Sequence, residues 1–428
     1  MADFNFKKWN LILGWLAFLI AFITYSFTVE PTVSFWDAGE YILTSSKLQV
    51  GHPPGAPFFQ MMGAFFSIFA SEPNQIGLMI NMMSATASAF TILFMFWSIV
   101  LLIKQVVKNN DESSKGQNTA ILGAAFVGSL SFAFTDSFWF NAVETEVYAM
   151  ATLILAVMFY LGLRWQNEMF TPRGNKWLIL ISFVVGLSFG VHFMGLLTIP
   201  AISLIYFFKN YKTVTIKNFI LANLAGIAIL LFVFKLLAPN ILRYFSVLEI
   251  FFVNSVGLPF NSGSIIAFIL LVGFVFWGLN YTQKKRFIHL NTGLLCITFI
   301  VIGFSSWLML PIRANANVTV NENNPSSARE LLAYYNLEQY PKTHLFYGPQ
   351  FTDQYAGLDE NQPYIDDKPK YEKDEVSGTY LVVNDYKNGL QNYNTEHASF
   401  LPRMWSSEHA ENYMIYAGFL EFSIKPEY

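Results

Sequence analysis

The chain has 428 residues, of which 54% are hydrophobic and only 13% charged, with a net charge of −3. A soluble domain carries about 25% charged residues, so a wholly soluble protein is excluded, and the lack of a basic excess speaks against nucleic acid as a partner. The 44 Phe and 10 Trp suit side chains that face lipid and its headgroup belt.

The charge is unevenly placed. Residues 1–310 hold 17 Lys and Arg against 12 Asp and Glu, whereas residues 311–428 hold 9 against 17. The expected fold class is an all-α polytopic membrane protein. Its membrane part covers 1–310, and an acidic, aqueous segment of α/β or irregular structure covers 311–428. The single cysteine, Cys296, lies in an apolar run. It reads as a packing residue, and no intramolecular disulfide can form.

A helix needs about 20 apolar residues to cross the hydrocarbon core. The first candidate, Trp9–Val29, follows Lys7 and Lys8. It is longer than a signal-peptide core and lacks a small-x-small cleavage site, so it reads as an uncleaved first span. The others are Ile76–Ile103, Thr119–Phe138, Tyr148–Trp165, Trp177–Val191, Gly195–Phe208, Phe219–Leu237, Ser264–Tyr281 and Thr292–Leu310, nine segments in all. Trp177–Phe208 is divided because Arg173 and Lys176 flank one end and Lys209 and Lys212 the other. Both ends then lie on one side, and the chain turns back near His192; the alternative is one long tilted span. With the N-terminus cytoplasmic, 14 of the 17 basic residues of the membrane part fall inside, as the positive-inside rule requires. The tail 311–428 then lies outside, and an inner (plasma) membrane location with a periplasmic tail is expected.

The outer loops differ. Residues 30–75 are polar and rich in helix breakers, with an apolar stretch, Phe58–Ala70, too short to span and read as interfacial or re-entrant. Residues 137–148 form a short acidic loop, and Pro239–Gly263 a third one.

The first loop carries Ser34-Phe35-Trp36-Asp37-Ala38-Gly39-Glu40-Tyr41. On a helix, Asp37 and Glu40 share a face. Carboxylates at the membrane surface serve as general base toward a hydroxyl or orient a cation; the alternative is a capping box. The Gly51-His52-Pro53-Pro54-Gly55-Ala56-Pro57 run makes a rigid turn, in which His52 contacts a phosphate or sugar hydroxyl or merely bonds the turn. In the second loop, Glu144 and Glu146 precede Tyr148. Ionisable groups at membrane depth are costly and commonly functional; the alternative is a solvated loop end. Asp136 reads as an interfacial cap. His192, between two apolar half-spans, is either a satisfied polar contact or faces a ligand. Arg313 follows the last span, where it pairs with a lipid phosphate or snorkels. No Walker A motif, dinucleotide glycine fingerprint or zinc-ligand spacing occurs. An enzyme built on this chain would take its energy from an activated substrate already in the membrane.

The Ser34–Glu40 run, the Gly51–Pro57 turn and the Phe138–Tyr148 segment resemble a multi-span family of unknown function, DUF2723, abundant in Bacteroidota, and are similar to the animal transmembrane protein O-mannosyltransferase family. Gly186–Pro200 with His192, Asn336–Tyr340 and Leu345–Pro349 fit as well, so the resemblance covers nearly the whole chain. It implies a GT-C fold and transfer of a mannose-like hexose from a polyprenyl-phosphate carrier to Ser or Thr hydroxyls of proteins outside the cytoplasm. Asp37 is the implied general base and Glu40 its helper. Trp36, His52, Glu144, Glu146, Tyr148, His192 and Arg313 form the implied substrate site, with His52 and Arg313 toward the departing phosphate. The expected partners are the lipid-linked donor, an acceptor protein and membrane lipids. No cofactor is required by the sequence, and a divalent metal stays open. Many members are longer, which makes this chain a short or partial one. Two other readings stay open: a transporter or flippase of lipid-linked sugars, whose site belongs near the bilayer midplane, and a non-catalytic envelope assembly subunit.

Overall fold

The computed structural model describes residues 4–107, 114–340, 344–355, 357–385, 387–401 and 404–418. Every apolar run becomes a helix, because a segment in lipid must satisfy its backbone polar groups internally. Long helices are α1 (Phe6–Thr28), α4 (Ile76–Val106), α7 (Val147–Glu168) and α12 (Ser262–Lys284). The third apolar segment is broken. α5 (Lys115–Ala133) stops before Thr135 and α6 (Asp136–Ala142) leaves it at 69°.

α8 (Asn175–Ser188) is followed by a 3-10 turn, Phe193–Leu197, and α9 (Thr198–Asn210). α10 (Ile216–Leu231) runs through a π-helical stretch, Phe232–Leu237, into α11 (Ala238–Ile250) and a second π turn, Phe251–Ser255. α13 (Ile288–Phe304) passes through another 3-10 turn into α14 (Met309–Asn315), and α15 is Ala328–Tyr335. Seven of these helical stretches are long and apolar enough to cross a membrane, eight if the bent pair is one span. The fifth expected segment, Trp177–Val191, falls short of this length, since α8 has only 14 residues. The expected third outer loop is also largely helical, since Ile216–Ser255 is continuous over 40 residues. Pro239 lacks an N–H to donate to the preceding turn, and the widened π turn before it lets the helix pass this point.

Contacts fix the helix directions. Lys104 lies 3.7 Å from the Phe6 ring, so α1 and α4 are antiparallel. Gln105 donates to Gln166 at 2.6 Å and Thr145 bonds Asn81, so α4 and α7 are parallel. Lys176 pairs with Glu168 at 2.8 Å, which starts α8 where α7 ends. Gly195 faces Ile154, Gly162 faces Ile202, and Trp165 stacks on Tyr206 at 5.6 Å, so α9 runs parallel to α7. The chain therefore turns back between α8 and α9, as the basic flanks of Trp177–Phe208 require.

α8 and α13 pack most closely. A Cβ on Gly186 would come within 2.1 Å of the Ile300 carbonyl, and one on Gly303 within 2.3 Å of the Phe183 carbonyl. Small residues let two membrane helices approach on their backbones. A Gly186→Val variant is expected to force them apart and to cost about 1–3 kcal/mol, read as a lower midpoint of thermal unfolding in detergent. An unchanged midpoint would refute the close packing.

The chain divides into two compact units, residues 1–247 with 264–337 and residues 248–263 with 338–428. The stretch 311–337, grouped by its charge with the tail, is thus built into the first unit, where Leu331, Tyr334 and Tyr335 are buried. In the second unit the described strands form three antiparallel pairs: β1 (Tyr347–Pro349) with β6 (Ala398–Phe400), β2 (Tyr364–Ile365) with β5 (Leu390–Gln391), and β3 (Lys370–Asp374) with β4 (Thr379–Asn384). Within this unit Asn254 exchanges two hydrogen bonds, 2.7 and 2.8 Å, with the Tyr380 backbone, and the Tyr380 hydroxyl lies 3.1 Å from the buried Glu249 carboxylate.

Candidate active site

The first loop folds as two short helices, α2 (Ala38–Ser46) and α3 (Pro57–Ser67), with Pro57 at the favoured first position of α3. Phe58 and Phe59 donate their N–H groups to the Gly190 carbonyl at 2.8 and 3.0 Å. This satisfies the open start of α3 and brings the loop to the His192 turn. Gly190 has no room for a side chain, since a Cβ there would meet Phe58 at 2.7 Å.

Asp37 is the residue before α2, and its side chain makes no capping hydrogen bond. Glu40 does not reach back to it. The capping-box alternative therefore fails. Trp36 has φ +60° and is 86% exposed. That left-handed backbone costs a non-glycine residue free energy and concentrates at functional sites.

Glu40 turns toward the Pro-rich turn. Its Oε1 accepts the His52 N–H at 2.7 Å, and its Oε2 lies 2.9 Å from His52 Nδ1. A Cβ on Gly51 would touch Glu40 Oε1 at 2.7 Å, so glycine makes room for this approach. The hydrogen bond from His52 holds the Glu40 carboxyl below its ordinary range, and the same bond holds the His52 imidazole above its own.

The second loop is clipped onto the first. Glu146, the residue before α7, has its carboxylate close to the backbone N–H groups of Asp37 and Val147. Glu144 lies beside the Ser34 hydroxyl. Asn81, buried in α4, donates to the Glu30 and Thr32 carbonyls at 2.7 and 2.8 Å and bonds the Thr145 hydroxyl. Sequence reading passed over Asn81 and Thr145. The available signal was an amide within an apolar span, which needs partners in lipid.

These elements enclose a cavity of about 410 Å³ lined by Trp36, Asp37, His52, Glu144, Glu146, Tyr148 and His192, with Tyr41, Phe140 and Phe193 among its apolar wall. Seven of the nine expected site residues thus line one space. Glu40 stands behind His52. Arg313 is elsewhere: its Nε and Nη2 donate to the Leu48 and Lys47 carbonyls at 2.6 and 3.0 Å. It closes the C-terminal end of α2, where a cation also meets the negative end of the helix dipole. The neighbouring strap does the same work for the turn. Val50 bonds Val320, and Tyr334 donates to the Gly51 carbonyl at 2.5 Å. Gly55, at φ +74°, abuts the Tyr334 hydroxyl. Tyr334 was another residue missed in the sequence. His192 accepts the Met194 N–H on Nδ1 at 3.1 Å and lies 5.3 Å from the Tyr148 ring.

Glu144 and Glu146 are only 2% and 6% exposed. Burial raises the Glu144 carboxyl. Burial, reinforced by the charges of Asp37 and Glu144, pushes Glu146 up to about 7. An acid raised in the folded state binds its proton more tightly there than in the unfolded chain, so stability falls as pH rises from the ordinary value of 4.5 to about 7. A Glu146→Gln variant is expected to lack this slope, gaining about 2 kcal/mol on the parent between pH 5 and 8. Thermal unfolding at both pH values checks it, and parallel slopes would refute the assignment. Among the described residues no three His, Cys, Asp or Glu side chains converge to hold a metal ion.

Comparison with known proteins meets this cavity directly. Residues 37–215 match the family described as protein O-mannosyl-transferase TMEM260 N-terminal domain. The match begins at Asp37 and includes both acidic loops and the His192 turn. Residues 341–427 match a second family, of unknown function, DUF8416. Protein O-mannosyl-transferase tmem260 of Dictyostelium discoideum is 24% identical over 254 residues, covering 56% of this chain and 29% of that protein. Protein O-mannosyl-transferase TMEM260 of Mus musculus is 23% identical over 167 residues, covering 38% of this chain and 21% of its own. The chain thus spans less than a third of the length of either relative. No solved structure matches.

Proposed function

We propose that this chain is a membrane glycosyltransferase that moves a hexose, mannose in the nearest reading, from a polyprenyl phosphate to a Ser or Thr hydroxyl of a protein. The observation that carries the reading is the convergence of Asp37, Glu146 and the Glu40–His52 pair from two separate loops on one aromatic-walled cavity. Aromatic faces such as Trp36, Phe140 and Tyr148 offer the apolar side of a sugar ring a surface, while the few polar groups set its orientation. The names of the O-mannosyl-transferase relatives support the protein acceptor and the sugar; a cavity at the ends of membrane helices supports a donor carried on a lipid phosphate.

The acceptor hydroxyl attacks the anomeric carbon as its bond to the carrier phosphate breaks. Asp37 takes the hydroxyl proton, and the phosphate leaves with both electrons of the broken bond toward His52, whose imidazolium form Glu40 favours. Glu146 lies beside Asp37 and keeps its own proton up to about pH 7, which spares Asp37 a full like charge beside it. The cavity lies at the starts of α2 and α7, at the ends of spans rather than half-way along them, which favours this reading over a transport pathway. Lys7, Lys8, Lys104, Lys176 and Lys209 lie at the opposite helix ends, which supports an outward-facing cavity and a cytoplasmic N-terminus. The test is to incubate the purified protein with a polyprenyl-phosphate hexose and Ser/Thr peptides and to read the peptide mass. A hexose-mass increase that depends on the lipid carrier is expected. Carrier turnover with sugar released only to water, or no turnover by a protein that binds the carrier, would overturn the proposal.

A further inference from the structure

A second, larger concavity lies within the membrane-spanning part. α10 packs on α9, where Gly226 meets Pro200 and Ser203. Between α10 and the α8–α13 pair runs a groove of about 750 Å³. Its wall is almost wholly apolar, from Leu221, Ala222 and Ala225 on α10 to Ile181 on α8 and Ile297 on α13. Asn218 and Val233 mark its extent along the α10 axis, roughly 22 Å at 1.5 Å per residue. That exceeds the depth of one leaflet, about half of a 30 Å core. A groove of this kind, open between spans, is filled by lipid.

Two observations narrow the occupant. The polar end is formed by Tyr206, Tyr211 and Asn218, beside Trp165, near the C-terminal ends of α7 and α9. That is the face opposite the Asp37 cavity, which sits at the start of α7. The Trp165 side chain lines the groove, is 6% exposed, and its indole Nε1 has no hydrogen-bond partner among the described residues. A buried donor left unpaired costs free energy that an acceptor atom of a ligand removes. The connection beside this end carries Lys212, with Lys209 in the last turn of α9 and Lys217 in the first turn of α10, all exposed and none in a described ion pair. Basic side chains at a bilayer surface attract anionic headgroups.

We propose that this groove is a binding site for an anionic phospholipid of the leaflet opposite the catalytic cavity. One acyl chain lies between α10 and α13, an ester carbonyl accepts from Trp165 Nε1, and the phosphate sits among Lys209, Lys212 and Lys217. The assignment does not depend on the transfer reaction, and it separates this lipid from a sugar carrier, whose phosphate belongs at His52 on the other face.

Native mass spectrometry of the full chain in detergent tests it, with phosphatidylglycerol and phosphatidylcholine offered at equal concentration. Phosphatidylglycerol is expected to be retained at least fivefold over phosphatidylcholine. A Lys212→Gln/Lys217→Gln variant should lose that preference. An Ala222→Trp variant, which fills the groove, should lose at least tenfold of the bound lipid, whereas Leu224→Trp on the same helix, 56% exposed and outside the groove, should keep it. If Ala222→Trp does not fold, the variant of the two exposed lysines still reads the same site. Equal retention of the two lipids by the parent protein, or an unchanged preference in the lysine variant, would overturn the proposal. So would displacement of phosphatidylglycerol by a long polyprenyl phosphate at equal concentration, because the groove would then belong to the carrier.

Discussion

An Asp37→Asn variant is expected to lose transfer by about 10²- to 10⁴-fold, the span typical of a deleted general base. Its unfolding should stay within about 0.5 kcal/mol of the parent protein. The choice of Asp37 rests on what its neighbours already do. Glu146 is buried and stays protonated up to about pH 7. Glu144 is almost fully buried beside Ser34, and Glu40 is engaged twice by His52. Asp37 is exposed, lines the cavity and caps nothing with its side chain. An amide in its place keeps the shape and cannot take the proton. Because the carboxylate makes no capping bond, the loss should fall on turnover rather than on folding. Transfer at the parent rate by the Asn variant would remove Asp37 from the chemistry. A collapse in stability would instead assign it a structural role.

Much of this architecture was legible because lipid enforces simple rules. Apolar run length located the helices, and the basic flanks at Arg173, Lys176, Lys209 and Lys212 required the turn at His192, which the stacking of Trp165 on Tyr206 displays. Two acidic loops on one face followed from the two apolar segments, Ile76–Ile103 and Thr119–Phe138, that separate them. What escaped was pairing over long sequence distances, which leaves no periodic trace. Tyr334 supports a carbonyl 283 residues away, and Arg313 secures the end of α2 at separations of 265 and 266. Charge composition assigned both to the tail, although their contacts belong to the first loop. The i,i+3 spacing of Asp37 and Glu40 foretold neither partner: Glu40 turns to His52, while Asp37 lines the cavity. Asn81 was hidden by its apolar surroundings, where only the scarcity of polar groups in lipid marks it.

The Glu40–His52 pair leads to the second large effect. A Glu40→Gln variant is expected to lower kcat/KM for a lipid-phosphate donor by about 10- to 100-fold at pH 7.5, the equivalent of one charge-assisted hydrogen bond of about 1.5–3 kcal/mol. The amide oxygen of glutamine still accepts the His52 N–H. Its NH₂ then faces Nδ1, which can meet it only as a neutral acceptor, so the imidazolium loses its counter-charge and its proton. The sign with pH follows from the two shifts. His52 is raised in the folded protein by Glu40, so its positive charge persists above the ordinary value of 6.5 and is lost as pH climbs through the raised value. Glu40 is lowered, so the pair weakens at the acid end only when pH falls through that depressed value. Between these limits the parent protein holds His52 as a cation, which the proposed reaction sets against the leaving phosphate. The variant presents one only where solution protonates His52 unaided, so its activity relative to the parent should recover as pH drops toward 6. Donor titrations across that range decide it: a deficit independent of pH would make Glu40 a brace for the Pro53–Pro54 turn alone, whereas recovery at acid pH identifies its carboxylate as the group that keeps His52 charged.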